Sequence, residues 1–463
     1  MVIKMKTRDL SMGTPWKVLI LFALPMILSV TLQQIYNIAD SAIAGKMISD
    51  AALASVSASY PITMIYLSIA TGLGVGAGVI TSRYFGEKNY KDTKSTIYTS
   101  LIFTLILGAI MVVLGILISP LSLKLIDTPD NIFEDSKIYL EFYCGGLVFT
   151  YLYNVITCIF QSLGNSKTPL YFLLFSTILN VFLDILFVGP CNLGVLGLAL
   201  GTFIAQGIAM ALSLIFLIIS IKKVLPTNEK IVLFNKSILK NILVIAIPSI
   251  IQGCTISVGN FFIQRLINSY GSDLIAGYGA AYKICYIIVN IYTAYSNAIS
   301  NYTSQNLGAG HLDRVLSGFK VSLLICIIFS VVMSVLFILM PEILLKIFMD
   351  SDASENAINY GKAFIYIVSP FYFFMGLKIP SDGVIKGAKD MREFMISTFV
   401  DLILRIILSY IFSYRFGYKG IFAAWPIGWG VGCLFSLVFF CLGRWKKING
   451  FDKNKELVEK SLE

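Results

Sequence analysis

Residues 16–41 read WKVLILFALPMILSVTLQQIYNIADS, an apolar run long enough, at about 1.5 Å per residue, to cross a bilayer core of roughly 30 Å as a helix. Its polar residues are ordered: Gln33, Tyr36, Asn37 and Asp40 recur at spacings of three and four and so share one face. Because eleven more runs of this kind follow, the segment is read as a first transmembrane helix and not as a removable signal. Eleven further runs of this kind follow, at 53–80, 97–119, 138–162, 170–189, 195–221, 241–266, 276–303, 316–340, 361–385, 395–413 and 419–443. The expected fold is an all-α membrane protein with twelve transmembrane helices.

Composition agrees with that expectation. Of 463 residues, 57% are hydrophobic and 13% charged, with a mean hydropathy of +0.81, which excludes an ordinary water-soluble globule. The eight cysteines all lie in apolar stretches and form no C-x-x-C pair, so neither a disulfide framework nor a zinc site is suggested. His311 is the single histidine, which rules out a His-rich metal centre and argues against a Ser-His-Asp hydrolase. Neither H-E-x-x-H nor G-x-S-x-G occurs, so no enzyme and no cofactor are expected.

The net charge of +10 is explained by topology. Sorting Lys and Arg by alternate loops puts 25 on the side that holds both termini, among them Lys4, Lys6, Lys453, Lys455 and Lys460, against seven on the other. By the positive-inside rule both termini are cytoplasmic, and the basic loops serve orientation and lipid headgroups with no nucleic-acid partner. Trp16 and Trp445 stand at helix ends on that side, where an aromatic belt belongs.

Compared with itself, the sequence repeats at an offset of 223 residues. Pro25 pairs with Pro248, Asn37 with Asn260, Ser49-Asp50 with Ser272-Asp273, Gly164 with Gly387, Gly194 and Gly197 with Gly417 and Gly420, and Gly207 with Gly430. Ser82 and Gly86 match Ser304 and Gly308 one residue out of that register. Two pseudo-symmetric six-helix lobes follow, entering the membrane in the same direction and related by an axis along its normal. The expected division is an N-lobe over 1–221, a Lys-rich linker over 222–240 with Pro226 and Asn228, a C-lobe over 241–443 and a cytoplasmic tail over 444–463. The run Thr71-Gly72-Leu73-Gly74-Val75-Gly76-Ala77-Gly78 imitates a phosphate-binding loop, but no strand precedes it and no Lys-Ser/Thr follows. Close helix packing is its expected use.

Charged residues at membrane depth cost roughly 2.5–3.5 kcal/mol each on insertion scales and need a partner or a function. The bases at that depth, Arg265, Lys283, Lys378 and Arg405, all fall in the second half. There Lys378 precedes Asp382 by four and Asp401 precedes Arg405 by four, within ion-pair reach on one helix face. In the first half Asp40 and Asp184 have no base at their depth. Asn180 shares a helix face with Asp184, so carboxylate and amide oxygens gather as a hard cation such as Na⁺ requires. A carboxylate withdrawn from water is equally suited to carry a proton, and protonated acids bonded between helices are the structural alternative. The second half also holds an aromatic seam of Tyr278, Tyr282, Tyr286, Asn290, Thr293 and Asn297 beside Lys283, and a Phe371-Tyr372-Phe373-Phe374-Met375 run. Such surfaces suit flat apolar or cationic molecules as well as helix packing.

With these motifs in place the chain resembles, over nearly its whole length, the multidrug and toxic compound extrusion family. The resemblance rests on the two six-helix halves, Pro25 and Asp40, the F-Q-S-L-G-N-S-K-T-P segment from Phe160 to Pro169, Asn180-x-x-x-Asp184, and Gly194-x-x-Gly197 leading to Thr202. It implies a V-shaped pair of lobes around a central cavity in a bacterial cell membrane. It also implies export of organic, often cationic drugs against inward Na⁺ or H⁺ by alternating access, by a monomer. Asp40, Asn180, Asp184 and Thr202 match the first-lobe cation positions of the branch resembling the DNA-damage-inducible bacterial transporters, with Tyr36 and Asn37 beside them. Gln33, Asn154, Tyr278, Tyr282, Lys283, Phe374 and Met375 are the candidate drug contacts. The family's Na⁺-driven branch carries acids in the seventh and tenth helices that are missing here, Met375 standing at the best-aligned tenth-helix position. Coupling is therefore expected through the first lobe alone, with Asp401 and Arg405 as a fixed ion pair. The rival expectation is a flippase for a lipid-linked precursor, using the four buried bases to hold a pyrophosphate.

Overall fold

The computed structural model describes residues 7–227, 229–349 and 353–451; Lys4, Lys6, Asn228, Lys453, Lys455 and Lys460 of the sequence reading lie outside them. Among the described residues every regular element is helical. In the first half these are α1 (Pro15–Ile43), which runs on into a π-helical turn (Ala44–Ile48), α2 (Asp50–Gly86), α3 (Tyr90–Leu125), α4 (Asp130–Gly145), α5 (Leu147–Ser162), α6 (Lys167–Val188) and α7 (Gly194–Val224). The second half holds α8 (Lys236–Asn268), α9 (Ser272–Gly308), α10 (Leu312–Leu339), α11 (Pro341–Lys346), α12 (Glu355–Val368), α13 (Tyr372–Gly387), α14 (Met391–Phe416), α15 (Tyr418–Leu442) and α16 (Arg444–Ile448). Among the described residues eleven stretches are long and apolar enough to cross a membrane, and α4 with α5 makes a twelfth if that bent pair is one span.

Two spans read as continuous in the sequence are broken. The fourth bends by 47° between α4 and α5, at Gly145-Gly146, where the amide of Gly146 is shared between the carbonyls of Phe142 and Tyr143. Glycine is the residue that tolerates such a break best. The tenth passes through a 3-10 turn, Ser369–Phe371, because Pro370 has no N–H to continue the ladder. Serines of α10 stand against this turn: Ser334 Oγ donates to Ser369 O at 2.6 Å, and Ser330 Oγ lies 3.2 Å from Tyr372 O.

The repeat is visible in the backbone. Helices α2 and α9 each have 37 residues, and α5 and α13 each have 16. Left-handed residues recur after matching helices: Lys88 with Gly310, Gly164 with Lys389, Gly194 with Gly417. The sequence pairing of Gly164 with Gly387 is thereby corrected by two residues, because the connection before α12 lengthens the second half. Gly164 has φ +75° and a Cβ there would strike the carbonyl of Arg8, so glycine is required; Lys389 adopts the same φ region. Gly387 stays helical and packs on Ser300 and Thr303 of α9.

By packing, the chain falls into two compact units, Met1–Leu10 with Phe22–Cys254 and Ser11–Leu21 with Thr255–Glu463. In the first, α5 lies against α2, α3 and α7, and its buried Leu147, Tyr151, Val155 and Ile159 form the core with Tyr66, Leu73 and Leu217. The glycine run of α2 serves this packing. Side chains at Gly72 and Gly76 would collide with Ile242, Ala246 and Ile250 of α8, and one at Gly74 with Cys158 of α5. In the second unit, α9 packs on α12 and α13, and α14 on α15.

Candidate functional site

The polar stripe of α1 meets α6 and α7 inside the first unit. Small residues one turn apart on α7, Gly197, Gly201 and Ala205, let α6 approach closely. Phe187 of α6 packs on Gly197, and the Asp184 carboxylate lies where a side chain at Gly201 would stand. That contact fixes Asp184, which is fully buried, beside Asn180, 2% exposed. The Asn180 amide donates to Asp184 Oδ1 at 3.3 Å and to Thr202 Oγ1 at 3.3 Å, and the Tyr36 hydroxyl lies 3.4 Å from Thr202 Oγ1. Asp40, one turn beyond Tyr36 on α1, lies against both Tyr36 and Asp184. The π-helical turn that follows α1 is a distortion often found beside functional groups.

Six sequence candidates thus divide cleanly. Asp40, Tyr36, Asn180, Asp184 and Thr202 come together; Asn37, on the same helix as Tyr36 and Asp40, is half-buried and stands outside this side-chain network. Tyr139 of α4 was not anticipated, yet its phenol lies within electrostatic reach of both carboxylates. Nothing in the sequence pointed to it. Gly201 could have been found from the Gly197-x-x-x-Gly201-x-x-x-Ala205 spacing.

The chemistry of the cluster follows from its oxygens. Asp40 Oδ1, Asn180 Oδ1 and Asp184 Oδ2 are buried and have no hydrogen-bond donor. Leaving such acceptors bare in an apolar interior costs on the order of 1–3 kcal/mol each, more when charged. A small cation bound by carboxylate, amide and hydroxyl oxygens removes that cost, and so does protonation. With two carboxylates and no sulfur or imidazole, the donor set fits an alkali ion or a proton better than a transition metal. A small cleft lined by Tyr139, Phe142, Tyr143, Ala199, Thr202 and Gln206 adjoins the cluster.

The drug-contact candidates are placed differently. Gln33 is exposed on α1, and Asn154 of α5 is half-buried with its amide donating to Thr150 O at 2.9 Å. Tyr278 is 3% exposed, stacked on Tyr282 at 5.7 Å and Phe422 at 6.0 Å, with Phe364 edge-on at 5.5 Å. Tyr282 is half-buried and accepts from the Asn260 amide at 3.1 Å. Lys283 is exposed, as is Arg265. Met375 is buried, and Phe374 is half-buried against Phe371 and Phe373.

The two charge pairs of the second unit do not behave alike. Lys378 Nζ and Asp382 Oδ2 close an ion pair at 2.9 Å, and Ser436 donates to Asp382 Oδ1 at 2.6 Å. Asp401 and Arg405, expected as a fixed pair, are not one among the described residues. Arg405 instead lies over the Trp425 ring, 4.3 Å from its centroid. Helical spacing brought the two within reach, but a partner on α15 competed for the guanidinium.

A family model, MatE, matches residues 25–186 and again 248–411, starting at the two prolines that the internal repeat aligns. The chain belongs to the MatE family. This MatE chain is 29% identical, over 96% of its length and 99% of the other's, to the probable multidrug resistance protein YpnP of Bacillus subtilis. It is 24% identical to the probable multidrug resistance protein NorM of Thermotoga maritima, over 93% of each chain. In fold it is similar to a multidrug resistance MATE family transporter of the MOP superfamily solved in an outward-facing conformation, with a TM-score of 0.89, 19% identity and coverage of 96% and 99%. A MOP superfamily transporter from Pyrococcus furiosus gives a TM-score of 0.88 at 19% identity over the same shares. The expected family and the all-helical membrane fold are thereby established for this MatE chain, and membership makes it a transporter rather than an enzyme.

Proposed function

We propose that this MatE chain is a secondary multidrug exporter that takes up Na⁺ or H⁺ at Asp40, Asn180, Asp184 and Thr202 as organic, often cationic compounds leave the cell. The observation that carries the reading is the convergence of three buried oxygens without donors, two from carboxylates that no base neutralises and one from the Asn180 amide. The relatives named as multidrug resistance proteins support the substrate class. The ion must bind two conformations unequally, since one that binds both alike shifts nothing. Tyr36 and Asp40 offer the linkage: occupancy changes the charge on α1, whose hydrogen-bond ladder is already interrupted at Pro25. Both termini are cytoplasmic, and the working form is a monomer in the bacterial cell membrane.

Gln33, Asn154, Tyr282, Lys283 and Phe374, whose side chains reach a surface or partly do, are the drug contacts we retain. Tyr278 and Met375 are buried and serve packing. The flippase reading is not favoured, because Lys378 is paired with Asp382 and Arg405 lies over the Trp425 ring one turn from the Asp401 carboxyl, leaving Arg265 and Lys283 to hold a pyrophosphate.

The test is transport in vesicles carrying the purified protein, with a Na⁺ gradient and a pH gradient imposed one at a time and a fluorescent cationic dye as cargo. Dye movement driven by one gradient is expected and names the ion. Movement under neither gradient would refute antiport.

A further inference from the structure

We propose that Asp401 is a second proton-binding site, in the unit containing Thr255–Glu463, and that its protonation decides whether Arg405 rests on the Trp425 ring or pairs with the Asp401 carboxylate. The proposal does not rest on the ion pathway assigned to Asp40 and Asp184. It starts from the unequal fates of four charges where α13, α14 and α15 meet. Asp382 is satisfied on both oxygens, by Lys378 and by Ser436. Asp401 and Arg405 are not: Asp401 Oδ1 is buried without a donor, and Arg405, 8% exposed, keeps its Nε without an acceptor.

The two stand one helical turn apart, so a rotamer change is all that separates them. An ionised carboxylate beside a guanidinium in so dry a place attracts it more strongly than an aromatic face does. The observed placement of Arg405 over Trp425 therefore fits a neutral Asp401. Room for the carboxyl is built into α15. A side chain at Gly428 would come within 2.9 Å of Asp401 Oδ1, and one at Gly432 would meet the Asp401 Cβ and the Lys378 Cε.

The groups that bear on Asp401 come from every packed neighbour. Helix α13 contributes Lys378 and Asp382, α14 itself Arg405, and α15 Trp425, Cys433 and Ser436. From α9, Tyr278, Tyr282 and Cys285 lie in the field of Arg405, while α8 offers Gly259 against Leu402 and Ile406. Lys378 favours the charged form of Asp401 but is held by Asp382, which leaves Arg405 as the base free to respond. Trp425 in turn touches Tyr282, Phe364 and Trp429. Loss of one proton from Asp401, by drawing Arg405 off that ring, is thereby carried into the aromatic core.

Trp425 reports on its own neighbour. The full-length protein in lipid nanodiscs is titrated between about pH 5 and 9, and tryptophan emission of Trp425→Phe is subtracted from that of the wild type. A one-proton step in the difference signal is expected. It is lost in Asp401→Asn and in Arg405→Gln, and kept in Asp40→Asn. Arg405→Gln leaves the carboxyl in place and gives an independent answer if Asp401→Asn does not accumulate. A flat difference signal, or a step that survives either Asp401→Asn or Arg405→Gln, overturns the proposal.

Discussion

Asp40→Asn leaves the protein inserted and able to bind a cationic dye, but ends gradient-driven export. Asparagine keeps the shape of the side chain and its place on α1 beside Tyr36 and Asp184, so the packing of α6 against α7, which depends on Gly197 and Gly201, is undisturbed. What is lost is one of two carboxylates and with it the charge that ion binding neutralises. A tenfold gradient of a monovalent ion is worth about 1.4 kcal/mol, enough to hold about a tenfold dye ratio in one-for-one electroneutral exchange. In vesicles the wild type should approach that ratio, and Asp40→Asn should fall to equal dye on both sides. A variant that builds the wild-type ratio would show that coupling runs elsewhere.

The second large effect lies in the other unit and concerns stability. Lys378→Met leaves Asp382 buried, 4% exposed, with Ser436 as its remaining partner and with Asp401 close by. Removing one member of a buried pair costs about 3–5 kcal/mol, whereas replacing both with apolar groups of similar volume is often neutral. Thermal unfolding in detergent should therefore show a marked drop in melting temperature for Lys378→Met and a recovery in the double variant Lys378→Met with Asp382→Leu. Equal melting temperatures for the single variant and the wild type would mean that the pair contributes nothing to assembly.

The spans were legible because a bilayer demands long apolar runs, and the repeat because Pro and Gly mark breaks that Leu and Ile leave unmarked. Even so, the pairing of Gly164 slipped by two residues, since a fixed offset ignores the longer connection before α12. Pro370 stood in the sequence inside a span read as straight, and the 3-10 turn there follows from its missing N–H. The first-unit cluster was legible from oxygens without bases, as Asp40, Asn180, Asp184 and Thr202 announce themselves by being expensive. Tyr139 was not, because a tyrosine in an apolar helix signals nothing until its neighbours are known. The same limit explains Asp401 and Arg405. A spacing of four says which groups share a face, while Trp425, on another helix, determined where the guanidinium went.

The central claim is that ion and drug are linked through Asp40 and Asp184, and linkage is reciprocal at equilibrium. Its most direct test is the dye affinity of the purified protein in nanodiscs, measured against rising Na⁺ at fixed pH and against falling pH at fixed Na⁺, for the wild type and for Asp40→Asn. One of the two ions should weaken dye binding in the wild type and leave Asp40→Asn unaffected. A wild-type affinity indifferent to both ions, or an identical shift in Asp40→Asn, would contradict it.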